Sequence, residues 1–169
     1  MCARSVAPVV NKRGHVLNAV LLSVGLGYVL HPAGDVETFV TVVEVGVPVT
    51  LGALFPDVDT AFGRHRKALH NLPVLAGFVA FPYFFGNLQF VWLGVLTHYV
   101  LDVVGSRRGI ALFYPFWSRE FDLPTGVSTS SDLADVVTVG VTAIELAAAW
   151  VIVNRIDRLA LEYGQQLLT

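Results

Sequence analysis

Five apolar runs, at residues 15–30, 36–55, 72–85, 90–104 and 134–153, take up most of this 169-residue chain. A run of about 20 apolar residues is long enough to cross a bilayer. In lipid such a run must satisfy its own backbone hydrogen bonds, and a helix is the simple solution. That requirement overrides local preference in the second run. Val36, Val40, Val42, Val43, Val45, Val47 and Val49 would suggest a strand in a soluble protein. Composition agrees with a membrane setting: 54% of residues are hydrophobic and 14% charged, where a soluble domain carries about 25% charged. The expected fold is therefore all-α, a polytopic membrane helix bundle of about five transmembrane or re-entrant helices, forming one domain over residues 1–169. The first, third and fourth runs are short for full spans. They are expected to extend into flanking polar residues, to pair as a hairpin through Gly86-Asn87, or to sit partly re-entrant.

Basic residues set the direction. With a cytoplasmic N-terminus, the inner segments carry Arg4, Lys12, Arg13, Arg64, Arg66, Lys67, Arg107, Arg108 and Arg119, and the outer ones only Arg155 and Arg158. This asymmetry predicts a protein integral to the cell membrane with its N-terminus in the cytoplasm. No cleavable signal is expected, because the first apolar run continues into Pro32 without a small-residue cleavage pattern. A net charge of −2 argues against nucleic acid as a partner. The single cysteine, Cys2, forms neither an internal disulfide nor a thiolate cluster. Any metal would be held by imidazole and carboxylate. The segment 128–132, Ser-Thr-Ser-Ser-Asp, supplies helix N-cap candidates for the fifth run.

Four clusters of histidine and aspartate interrupt the apolar pattern, and the layout places all four on the cytoplasmic side. Polar side chains at membrane depth are costly and usually mark function. His98 and Asp102 stand four apart on a predicted helix and share one face. They suit one metal ion, or a ligand held by a carboxylate behind it; the plain alternative is a hydrogen bond fastening two helices. Asp57 and Asp59 follow Pro56 at a helix end, where a turning segment brings both to one cation and where capping is the competing explanation. His65 and His70 are badly staggered for one helix face and converge only if their loop bends. Arg64, Arg66 and Lys67 suit an anionic group, either a phosphate or lipid headgroups. His15 opens the first run on the same side. Glu44 lies too deep for this site and His31 lies on the opposite side. Four histidines and three aspartates exceed the needs of one tetrahedral ion and suit one or two divalent ions, with zinc the default for hydrolysis.

Leu54-Phe55-Pro56-Asp57-Val58-Asp59, then His65-Arg66 with His70, then Gly94-Val95-Leu96-Thr97-His98-Tyr99-Val100-Leu101-Asp102, form an ordered set. With the Gly109–Pro115 stretch and a histidine opening the first span, this set resembles the inner-membrane, metal-dependent hydrolase family typified by the YdjM protein. The resemblance implies that His15, Asp57, Asp59, His65, His70, His98 and Asp102 form a polar, metal-binding site. One departure is Leu69-His70-Asn71, where the family usually shows Thr-His-Ser. If that threonine or serine orders a ligand, the site here is altered.

These readings converge on a membrane-embedded, metal-dependent hydrolase with its site at the cytoplasmic interface. Asp59 is expected as a bridging ligand or general base. Arg66, with Arg64 or Arg107, is expected to hold an anionic substrate, and the interfacial position favours a lipid or lipid-linked phosphoester. The rival from another class is a metal-binding or transport protein without hydrolysis. A third possibility is a structural protein whose His/Asp pairs merely fasten helices.

Overall fold

A computed structural model describes residues 12–61, 65–86, 88–105, 108–124 and 133–166, with 156–166 as backbone only. Among them are five α-helices: α1 (Lys12–Leu30), α2 (Val36–Leu54), α3 (Leu72–Phe85), α4 (Val91–Val104) and α5 (Leu133–Gln166). A 3-10 turn, Pro56–Thr60, follows α2. The valine-rich run is helical throughout, as lipid requires. The expected N-cap segment 128–132 lies outside the described residues. The fifth helix continues beyond the expected 153 to Gln166. Its polar end is rich in Leu, Ala, Glu, Arg and Gln, all good helix formers, so the helix outlasts the hydropathy signal.

Among the described residues, three helices are long and apolar enough to cross a membrane: those over Lys12–Leu30, Val36–Ala61 and Leu133–Arg155. Their outward faces expose large apolar side chains such as Phe39, Val47, Ile144 and Ile152. Helices α3 and α4 have 14 residues each, about 21 Å at 1.5 Å per residue, against roughly 30 Å of hydrocarbon. The turn joining them lines a cavity of about 480 Å³ together with Val43, Glu44, Val47 and Pro48. The α3–α4 hairpin thus reaches only the middle of α2. Of the sequence alternatives, the pairing of α3 with α4 matches the hairpin.

Local chemistry sets the ends. Asp35 caps α2 by accepting a hydrogen bond from the Thr38 N–H (3.0 Å), and Asn71 caps α3 through Val74 N–H (3.0 Å). Gly86 closes α3 with φ +67°, a left-handed conformation natural to glycine. Side chains of α1, α2 and α4 form most of the interior: Ala19, Leu22 and Leu26 meet Val45, Val49 and Ala53, while Val95 and Tyr99 pack with Ile110. Helix α3 buries no residue and lies at the periphery. Two glycines bring α2 and α4 into backbone contact. A Cβ on Gly52 would strike the Val91 carbonyl, and one on Gly94 the Val49 carbonyl. This close approach positions the site described next.

A candidate metal centre at one end of the bundle

The start of α1, the end of α2 with its 3-10 turn, the loop before α3 and the second half of α4 meet at one end of the bundle. They deliver His15, Asp57 and Asp59, His65 and His70, and His98 and Asp102 respectively. All are buried except His65, which is partly so. The loop does bend, so that both histidines of the 65–70 segment reach the same aspartate. His65 Nδ1 lies 2.9 Å from Asp59 Oδ1, and His70 Nδ1 lies 3.2 Å from Asp59 Oδ2.

In neutral imidazoles, hydrogen bonding selects which nitrogen carries the proton. His98 Nδ1 is 2.7 Å from the Ala53 carbonyl, which only accepts, so Nδ1 is the donor and Nε2 holds a lone pair. That Ala53 carbonyl is adjacent to Gly52, where α4 approaches most closely. His70 Nδ1 donates to the Asp59 carboxylate, leaving its Nε2 likewise as a lone pair. These two Nε2 atoms face each other at 3.1 Å. Two lone pairs at this separation repel unless a cation lies between or beside them. Asp102 Oδ2 is 3.4 Å from His70 Nε2 and 3.5 Å from His98 Nε2, and Asp102 Oδ1 is 3.7 Å from His15 Nε2. The His15 ring stacks on His98 with centroids 3.7 Å apart. Asp57 is 2% exposed, yet neither of its oxygens has a hydrogen-bond partner. A buried carboxylate without partners is costly, and a metal ion removes the cost. Donor atoms converge within 4.8 Å in two groups, His15-His98-Asp102 and Asp57-His65-His70. The donor set fits a divalent ion.

Asp59 sits behind the ligand atoms rather than among them. It receives both Nδ1 atoms and the Leu69 N–H (3.3 Å). This is how a carboxylate orients metal-binding imidazoles. Arg66 has φ +67° and is buried. Its guanidinium lies 3.5 Å from Asp102 Oδ1 and donates to the carbonyls of Arg108 and Gly109. It faces the centre as a counter-charge. Three buried carboxylates, Asp57, Asp59 and Asp102, meet one buried guanidinium. With neutral imidazoles, two negative charges are left over, matching one divalent cation. Arg64 and Arg107, expected at the substrate, lie outside the described residues. At the rim, Lys67 and Arg108 pair with Glu120. Burial pushes the Glu120 carboxyl up, but hydrogen bonds from Lys67 and Arg108 outweigh this and hold it below its usual range.

The departure at Leu69-His70-Asn71 has a structural account. Leu69 serves Asp59 through its backbone N–H, which any residue but proline supplies. Asn71 caps α3 and also donates to the Lys67 and Ala68 carbonyls (2.8 and 2.9 Å). A serine at that position is a cap of the same kind. The Tyr99 hydroxyl donates to the Leu69 carbonyl (2.6 Å) and accepts from Asn71 N–H (3.1 Å), clamping the loop on both sides of His70. Sequence reasoning missed Tyr99, although its position beside His98 was a signal. It also missed Asn18, Thr97 and Glu145, which hydrogen-bond to one another. Polar residues within apolar runs were the clue. His31, as expected, lies elsewhere, against Asp35 and Glu37.

Fold and donor set define a class: an integral membrane helix bundle with a buried His/Asp centre at one end. The model of the YdjM inner membrane protein family matches residues 11–163, and the chain belongs to that family. No curated protein and no solved structure matches it.

Proposed function

We propose that the protein is a membrane-embedded, metal-dependent hydrolase acting on a phosphoester, with a lipid or lipid-linked molecule as the substrate class. One observation carries the metal: the Nε2 atoms of His70 and His98, both lone-pair donors by their hydrogen bonding, converge at 3.1 Å. His15, His65, His70, His98, Asp57 and Asp102 would hold one or two divalent ions, with zinc the first candidate for this nitrogen and oxygen set. When bound, such an ion supplies Lewis acidity and makes water a nucleophile near neutral pH. Asp59 keeps two imidazoles oriented, a role preferred here over ligand or general base because both its oxygens are engaged. Asp57 offers one oxygen as a ligand and the other to take a proton from the attacking water. Arg66 offsets the charge of Asp102. The basic rim and the count of basic residues support the reading that this end lies at the cytoplasmic face, within reach of lipid headgroups.

Elemental analysis of the detergent-purified protein tests the reading. One or two divalent ions per chain are expected, and none in His98→Ala/Asp102→Ala. Phosphoester hydrolysis by the wild type, abolished in the double variant and by chelation, would establish the reaction. A folded, metal-free wild type after chelator-free purification would remove the proposal. Stoichiometric metal without hydrolysis across phosphomonoester, phosphodiester and phospholipid probes would favour the binding or transport alternative.

A further inference from the structure

Three of the four histidines at the centre have Nδ1 anchored: His98 by the Ala53 carbonyl, and His65 and His70 by Asp59. His15 does not. Its Nδ1 is buried and has no hydrogen-bond partner. The ring is placed by stacking on His98, at an interplanar angle of 11°, and by Asp102. Its position therefore depends on how α1 stands against α4. One turn deeper, a polar cluster joins these two helices to α5. Asn18 lies three residues after His15, and Thr97 immediately precedes His98. The Thr97 hydroxyl is 2.6 Å from both Asn18 Oδ1 and Glu145 Oε1. Asn18 Nδ2 donates to Glu145 Oε2 and to Thr142 Oγ1, both at 2.9 Å. Asn18, Thr97 and Thr142 are fully or almost fully buried.

We propose that Glu145 is a positioning residue of the metal centre: through Asn18 and Thr97 it fixes the register of α1 against α4, and so the place of His15 beside His98. The inference rests on the metal-binding reading above. An apolar contact tolerates sliding by a fraction of an ångström, whereas hydrogen bonds of 2.6–2.9 Å do not. If Glu145 is removed, the Thr97 hydroxyl keeps Asn18 Oδ1 and Asn18 Nδ2 keeps Thr142 Oγ1, but one Asn18 N–H is left without a partner beside buried side chains. Pairing that N–H again requires a shift of α1, which carries His15 with it. Helix α5, which supplies no ligand, becomes part of the centre in this way. Its first turn is tied to α1 at the same end by Arg13–Asp135 (3.0 Å).

The test is zinc affinity, measured by competition with a chelating dye, on wild type, Glu145→Ala, Glu145→Gln and Leu146→Ala. Glutamine retains an oxygen and adds a nitrogen donor for the same two partners. Leu146 packs on the apolar cluster of α1 and α2 and makes no part of the polar one. Glu145→Ala is expected to bind zinc about 10–100-fold more weakly, the usual effect of losing a group that orients ligands. Its helix content should be unchanged by circular dichroism. Glu145→Gln should stay within about threefold of wild type by the same reasoning. Leu146→Ala should lower the thermal midpoint but leave affinity in place. Wild-type affinity in Glu145→Ala would overturn the proposal, as would equal losses in Glu145→Gln or Leu146→Ala. Absence of zinc binding by the wild type would overturn the metal-centre reading as well, so the two failures are distinguishable.

Discussion

Asp57 and Asp59 are two residues apart in one 3-10 turn and are both buried, yet their surroundings give them different work. The Asp59 carboxylate is fully engaged by two imidazoles and a backbone N–H, while the Asp57 carboxylate has no hydrogen-bond partner. The difference predicts different consequences for the same isosteric change. Asp57→Asn exchanges a ligand carboxylate for a neutral amide and should abolish stoichiometric zinc. Asp59→Asn leaves a carbonyl able to accept from one imidazole Nδ1, so zinc should persist with affinity lower by roughly 10–100-fold. Titration calorimetry of the two variants would check this, and the opposite order would exchange their roles. The sequence made both aspartates candidates, because composition and spacing treat them alike. Only the direction of each side chain separates them. Arg66 shows the same limit: its charge suggested a substrate anion, whereas the left-handed backbone turns the guanidinium onto Asp102 and two carbonyls.

At the scale of the helix, the decisive contact is the crossing of α2 and α4 at Gly52 and Gly94. It brings the Ala53 carbonyl within 2.7 Å of His98 Nδ1 and so selects the tautomer that presents Nε2 to the centre. Gly94→Leu would set a side chain against the Val49 backbone, which has no rotamer to yield. The helices must separate, at a cost above the roughly 1–3 kcal/mol typical of overpacking. Zinc binding should fall together with stability, because His98 moves with α4. Gly77, with nothing within 4 Å of an added Cβ, provides the control: Gly77→Ala should leave both unchanged. Denaturation midpoints and zinc content on the same preparations would decide it, and unaltered zinc in Gly94→Leu would show that the crossing does not position His98. Helix existence was readable from hydropathy, and the ends of α2, α3 and α4 fall within a residue of expectation; Asp35 caps the start of α2, and Asn71 and Gly86 cap the two ends of α3. The extra length of α5 was not, since hydropathy reports lipid contact while helix propensity continues past it.

For the whole molecule, charge is the controlling quantity. Three buried carboxylates against one buried guanidinium leave the His/Asp centre itself negative, and a divalent ion there would relieve that repulsion. Chelation should therefore destabilise the protein, by about 2.7 kcal/mol relative to a sample with free metal at 100 times its dissociation constant. The thermal midpoint should fall with EDTA and recover with added zinc; an unchanged midpoint would mean that no ion is held in the native state. The sequence by itself determined that the chain is a helical membrane protein and which polar residues are expensive to embed, because hydrophobic burial and backbone satisfaction in lipid depend on composition along the chain. It also placed the four His/Asp clusters at one end, since connectivity alternates helix direction. What only the tertiary structure decided was which of those side chains meet which, where the α3–α4 turn lies along α2, and the hydrogen bonds from Glu145 on α5 to Asn18 on α1 and Thr97 on α4. Those depend on helix rotation, crossing distance and side-chain direction between separate segments of the chain, 45 residues apart for His98 and Ala53 and 127 for Asn18 and Glu145, which no local pattern records.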